Sequence, residues 1–182
     1  DFVDQEDSVY EDASHGMTVL SSMAAIMHGQ LIGTAPYANY LLLRSEAPNE
    51  NPVEELNWVT AAEFADRAGA DILTTSLGYT VFDDTAYNHS YPDMDGNTTP
   101  ITVGADRAAS RGMLVVNAAG NEGNSTLKYI AAAADGDSVM AVGAVDAAAN
   151  YASFSSKGPS YDGRVKPNVS AMGLGTVVAS TS

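Results

Sequence analysis

Residues 111–123 read Arg111-Gly112-Met113-Leu114-Val115-Val116-Asn117-Ala118-Ala119-Gly120-Asn121-Glu122-Gly123, or RGMLVVNAAGNEG. A helix closing at Arg111-Gly112 gives way to an apolar run of strand length, Met113 to Ala118, which stops at a cluster of small residues and glycines. An apolar strand entered directly from a helix is the repeating unit of a parallel sheet, whose strands are buried on both faces. Working outward, Thr99-Pro100 opens the helix that ends at Arg111-Gly112, and Asp71-Ile72-Leu73-Thr74-Thr75 reads as the strand before it. Asn51-Pro52-Val53-Glu54 supplies an N-cap, a first-turn proline and a capping-box glutamate for an earlier helix, which Gly69 ends. Its predicted apolar face is Val53, Leu56, Ala61, Phe64, Ala65 and Ala68, and the run Tyr40-Leu41-Leu42-Leu43 before it suits a buried strand. Val139 to Val145 is the next strand downstream. Residues 79–98, with four aspartates, two asparagines, Pro92 and Gly96, read as a long surface excursion. The alternation predicts one α/β domain over residues 1–182: a three-layer sandwich, a mostly parallel sheet with helices on both faces.

Composition bounds the partners. The chain of 182 residues is 45% hydrophobic and 17% charged, with a formal charge of −15 and no Lys or Arg before Arg44. That field repels polyanions, so neither nucleic acid nor an anionic membrane is an expected partner. The absence of cysteine excludes disulfides, thiolate metal sites and a cysteine nucleophile. No stretch approaches the ~20 apolar residues that span a bilayer, and the first residues lack the pattern of a signal peptide.

In an open α/β sheet, ligands gather beyond the carboxyl ends of the strands. Two segments lie there, Ser76-Leu77-Gly78 and Ala118-Ala119-Gly120-Asn121-Glu122-Gly123. Small residues let another chain approach the backbone, and Asn121 could donate its amide to a developing oxyanion. Taken alone, it reads more readily as a turn asparagine bonding its own backbone. His15 stands in the first turn of a helix that Ser14 could cap and whose apolar face is Val19, Leu20, Met23, Ala24 and Met27. Taken alone, it reads as a polar surface or capping residue.

The pieces in their order resemble the subtilisin-like serine proteases, or subtilases. His15-Gly16 opens a helix as the family's His-Gly-Thr-His-Val-Ala-Gly does, and Gly33-Thr34-Ala35-Pro36-Tyr37-Ala38 is similar to Gly-Val-Ala-Pro-x-Ala. Gly69-Ala70-Asp71-Ile72-Leu73-Thr74-Thr75-Ser76-Leu77-Gly78 resembles Gly-Ala-Asp-Val-Ile-Asn-Met-Ser-Leu-Gly, and Ala118 to Gly123 is nearly the family's own block. Phe154-Ser155-Ser156-Lys157-Gly158-Pro159 and Lys166-Pro167-Asn168-Val169-Ser170-Ala171 follow in the family's order, similar to Phe-Ser-x-x-Gly-Pro and Lys-Pro-Asp-Val-x-Ala.

The resemblance implies a serine endopeptidase acting through a Ser-His-Asp triad and an acyl-enzyme. By it, His15 is the general base and Asn121 the oxyanion donor. Ser76, Leu77 and Gly78 form one wall of the substrate side-chain pocket, and Ala118, Ala119 and Gly120 form the other. A polypeptide substrate would add as a strand along the first wall. The family's aspartate normally precedes the histidine by some thirty residues in Asp-x-Gly; Asp1, Asp4, Asp7 and Asp12 lack that context, and no Gly-Thr-Ser nucleophile motif occurs. The expectation is therefore a central piece of a catalytic domain, inactive by itself, that self-associates through uncovered apolar surface. The alternative is a non-catalytic, peptide-binding module on the same fold; an unrelated doubly wound domain would need the ordered blocks to be coincidence. No cofactor is expected: calcium, which many subtilases hold, has no matching asparagine-rich segment in residues 26–33, and Asp93-Met94-Asp95-Gly96-Asn97 reads as a solvated turn. His15, His28 and His89 have no metal-ligand spacing. An extracytoplasmic or secreted parent is what the resemblance implies.

Overall fold

The computed structural model describes residues 1–10 and 14–180, so Asp12 lies outside the described residues. In chain order the elements are α1 (His15–Ala24), β1 (Ile26–Met27), β2 (Leu31–Ile32), α2 (Val53–Ala68), β3 (Ile72–Thr75), α3 (Pro100–Ser110), β4 (Leu114–Ala118), β5 (Met140–Val145) and β6 (Val169–Met172). The last four strands form one parallel sheet in the order β3-β4-β5-β6. The α/β class and the parallel sheet are those expected, and the strands read at 71–75, 113–118 and 139–145 are β3, β4 and β5. β6 went unread, because Val169–Met172 is exposed along its whole length and carries no apolar run to announce it.

Asn51 and Glu54 make the reciprocal bonds expected of them, but α2 begins at Val53, so Pro52 takes the cap position and not the first turn. Asn51 Oδ1 accepts from Val53 N at 3.0 Å, and the Glu54 carboxylate returns to Asn51 N at 3.2 Å. Gly69 closes the helix at φ +81°, a left-handed conformation in which a Cβ would be strained. The buried face, however, differs from the one predicted. Glu54, Glu55, Trp58, Ala61, Ala62 and Ala65 are buried, whereas Val53, Leu56, Phe64 and Ala68 are exposed. Two carboxylates occupy the inner face because each satisfies backbone donors: Glu54 caps its own helix and Ala47 N, and Glu55 accepts from Ile101 N at the start of α3. Around them, Trp58, Ala62 and Ala65 of α2 pack with Ile101 and Ala105 of α3 onto Val115 of β4.

Three further expectations are corrected. Residues 40–43 form no strand: they join no ladder, the nearby main-chain bond being Phe2 N to Arg44 O at 2.9 Å, and Leu43 reaches the core from a loop while Leu41 faces outward. An apolar run alone does not distinguish a strand from a buried connection. Residues 79–98 are not merely a surface excursion, since Tyr79, Phe82 and Met94 enter the main core. Their polar neighbours make local turns, with Asn88 Oδ1 accepting from Phe82 N and Asp93 Oδ2 from Ser90 N. Finally, α1 begins at His15 but stops at Ala24, where Ala25 turns extended, so Met27 belongs to the β1–β2 hairpin and not to the helix face. Ser14 is at the cap position without a side-chain hydrogen bond. α1 packs against β2 and is tied to the C-terminal segment by Thr18 Oγ1 to Ala179 O and by Ala179 N to Ser21 Oγ.

Candidate active site

The pairing of β3 with β4 ends at Thr75–Asn117, and beyond that rung the two chains border a pocket of about 120 Å³. Ser76, Leu77 and Gly78 line it from one side, and Ala118, Gly120 and Asn121 from the other. Six of the eight residues expected at the site are thus brought together. Ala119 stands behind its wall: the methyl is 1% exposed among Ile130, Ala134 and Ala141, and its carbonyl accepts from Ala131 N at 3.0 Å. Thr80, Glu122 and Ala131 complete the lining, and Glu122 is its one charged group. Sequence reasoning missed Ala131, which comes from a run of four alanines with no chemical signal of its own.

The two glycines have distinct reasons to be there. A Cβ on Gly78 would stand 2.8 Å from Ala131 Cβ, inside contact distance. Gly120 has φ +109°, and a Cβ there would stand 2.8 Å from Ser156 Oγ, which accepts from Glu122 N at 2.9 Å. The turn therefore brings Asn121 to the pocket with the backbone braced from behind. Asn121 itself is exposed and its side chain makes no cap hydrogen bond, so the self-bonded turn asparagine is not what forms. On the other wall, the main-chain N–H and C=O groups of Ser76 and Gly78 make no hydrogen bond among the described residues.

His15 does not line this pocket. It is exposed at the head of α1. Glu46 accepts from the hydroxyls of Tyr79 and Ser45, and Tyr79 directly follows Gly78. Burial raises the Glu46 carboxyl above its ordinary range, against the lowering effect of those hydroxyls. Burial first, and the Glu46 charge second, push the Tyr79 phenol upward, so it remains a donor at any ordinary pH. The acidic N-terminus is engaged elsewhere: Arg44 pairs with Asp1 at 3.0 Å and with Asp4 at 2.8 Å. Among the described residues no group of three or more His, Asp or Glu side chains is placed to hold a metal ion. The carboxylates of Asp93 and Asp95 are used as turn acceptors for Ser90, Asn97 and Thr98. A wider groove of about 830 Å³ runs between α2 and α3, lined by Leu56, Val103, Arg67, Arg107 and Arg111 among others; no expected site residue borders it.

Comparison with known proteins places the chain. The chain is 31% identical to serine protease AprX of Bacillus subtilis (strain 168) over 97% of its length and 41% of that protein's. It is 32% identical to subtilisin E of the same organism, over 88% of this chain and 39% of the relative. The chain therefore spans about two fifths of the length of these curated relatives. Among solved structures, the self-cleaved protease domain of PatA superposes with a TM-score of 0.65 at 24% identity, covering 82% of this chain and 51% of that one, a likeness of fold. The family model described as Subtilase family, Peptidase_S8, matches residues 1–182, and the chain belongs to that family.

Proposed function

We propose that this chain is the part of a serine endopeptidase that carries the general base, the oxyanion donor and both walls of the substrate side-chain pocket. The observation that carries the reading is the meeting of Ser76-Leu77-Gly78, Ala118, Gly120 and Asn121 around one pocket, with an exposed Asn121 amide and the unpaired main chain of Ser76 and Gly78 at its edge. An extended polypeptide pairs with that edge as an added strand and sets one side chain in the pocket. Its scissile carbonyl then lies where Asn121 Nδ2 donates to the oxyanion as it forms. His15 takes the proton of the serine nucleophile and passes it to the leaving amine. Neither the serine nor the aspartate is in motif context within residues 1–182; on this reading both belong to other parts of the parent. Family resemblance supports an extracytoplasmic parent, which fractionation of the producing cell would check.

The test is made on the full-length parent. It is expected to hydrolyse an unfolded polypeptide and to be stopped by a serine-reactive inhibitor, whereas residues 1–182 alone show no turnover. Asn121→Leu is expected to lower kcat by about 10²–10³ with KM little changed, the magnitude known for this donor in subtilisin itself. A parent that binds peptide but never cleaves it would replace this reading with the non-catalytic module, and an unchanged kcat in Asn121→Leu would remove Asn121 from the mechanism.

A further inference from the structure

Asn117 is 1% exposed, on the last rung of the β3–β4 pairing, opposite Thr75. Its Nδ2 donates to Leu77 O at 3.1 Å and to Ala118 O at 2.9 Å, so one amide grips a carbonyl from each wall of the pocket. The orientation of the amide follows from its partners. Both are carbonyl acceptors, and only the nitrogen end can face them. The consequence is that Oδ1 is buried with no donor among the described residues. Leucine of similar volume would bury no amide, but it would leave Leu77 O and Ala118 O without this donor. An amide buried beside a pocket and holding one carbonyl from each of its walls points to a positional role.

The surrounding main chain says what that role is. Past Thr75 and Asn117 the ladder stops, and among the described residues no other hydrogen bond joins residues 76–78 to residues 117–121. The rung beneath is fixed separately, by Trp58 Nε1 donating to Thr75 Oγ1 at 3.0 Å. Resting on the proteolytic reading above, we propose that Asn117 is a positioning residue: a two-pronged clamp that sets the distance between the pocket walls and so the choice of side chain before the scissile bond.

In the full-length parent, kcat and KM would be measured for peptides differing only in the residue before the scissile bond, for the wild type and Asn117→Leu, beside thermal unfolding and crystal structures of both. The clamp predicts that Asn117→Leu folds, that the separation of Leu77 O from Ala118 O changes, and that the spread of kcat/KM across the series collapses by roughly tenfold or more. Against the best substrate, kcat/KM is expected to fall by up to roughly 10²-fold, the scale of an ångström-sized misplacement. A shift in thermal stability with the spread of kcat/KM unchanged would reduce Asn117 to a packing residue and overturn the proposal. If the wild-type parent cleaves none of the peptides, the proteolytic reading fails by itself, and an unchanged wall separation in the variant would still overturn the clamp. Asn117→Asp, which keeps the shape and alters the donors, gives the same comparison if the leucine variant does not fold.

Discussion

Single atoms decide much at the pocket. Gly120 combines φ +109° with a space already closed by Ser156 Oγ and Ala131 Cβ, at 2.8 and 3.2 Å from the position a Cβ would take. Gly120→Ala is therefore expected to destabilise the fold by roughly 1–3 kcal/mol, from overpacking and backbone strain together. Chemical denaturation would show it as a lower midpoint with the slope unchanged. Of the residues that build the site, Asn121 and Gly120 are legible in sequence through the family block Ala118 to Gly123, since the local pattern by itself reads as a turn. Ala131 and Asn117 are not. Ala131 matters through the pocket it closes, across the chain from Gly78 and Gly120, and Asn117 looks like one polar residue in an apolar strand until Leu77 O is found beside it. Both roles are long-range contacts, and no local pattern encodes them.

Among the elements, a half-buried histidine–carboxylate contact joins the 79–98 segment to the helical face. His89 Nε2 lies 2.7 Å from Glu55 Oε1, and the other Glu55 oxygen accepts from Ile101 N at the head of α3. The bond to Glu55 holds the His89 imidazole above the usual histidine range of 6.5, burial opposing it. Phe82 meets the ring edge-on, and the charges of Asp93 and Asp135 add to the upward shift. A base whose folded pKa is raised binds its proton more tightly when folded. Its stabilisation is complete below about pH 6.5 and is lost as the pH rises through the raised value. The gap in melting temperature between the wild type and His89→Gln is thus expected to be widest near pH 6 and to narrow toward pH 9, a trend that melts at several pH values would check. A gap that widens with pH would contradict the pairing. This pair also explains why the inner face of α2 was misread. Periodicity counts apolar residues, and Glu54 and Glu55 are inside for the sake of backbone donors and His89.

The whole molecule presents a parallel sheet whose outer strands carry unpartnered apolar groups. Ile72 of β3 is 58% exposed and Met172 of β6 is 50% exposed, and Val177 beyond β6 is 63% exposed. Residues 1–182 in isolation are expected to associate through these edges, visible as sedimentation faster than a monomer and as binding of a hydrophobic dye. A sharp monomer peak with cooperative unfolding would show the edges to be tolerated in water. No helix among the described residues is long and apolar enough to cross a membrane. In the proposed reaction, residues on separate elements act together in the parent, His15 heading α1 and Asn121 following β4. The most direct measurement is kcat for peptide hydrolysis by the full-length parent carrying His15→Ala. The expected loss is on the order of 10⁶, as removal of the base brings in subtilisin, with peptide binding at the pocket retained. A His15→Ala parent that keeps kcat within about tenfold of the wild type would contradict it.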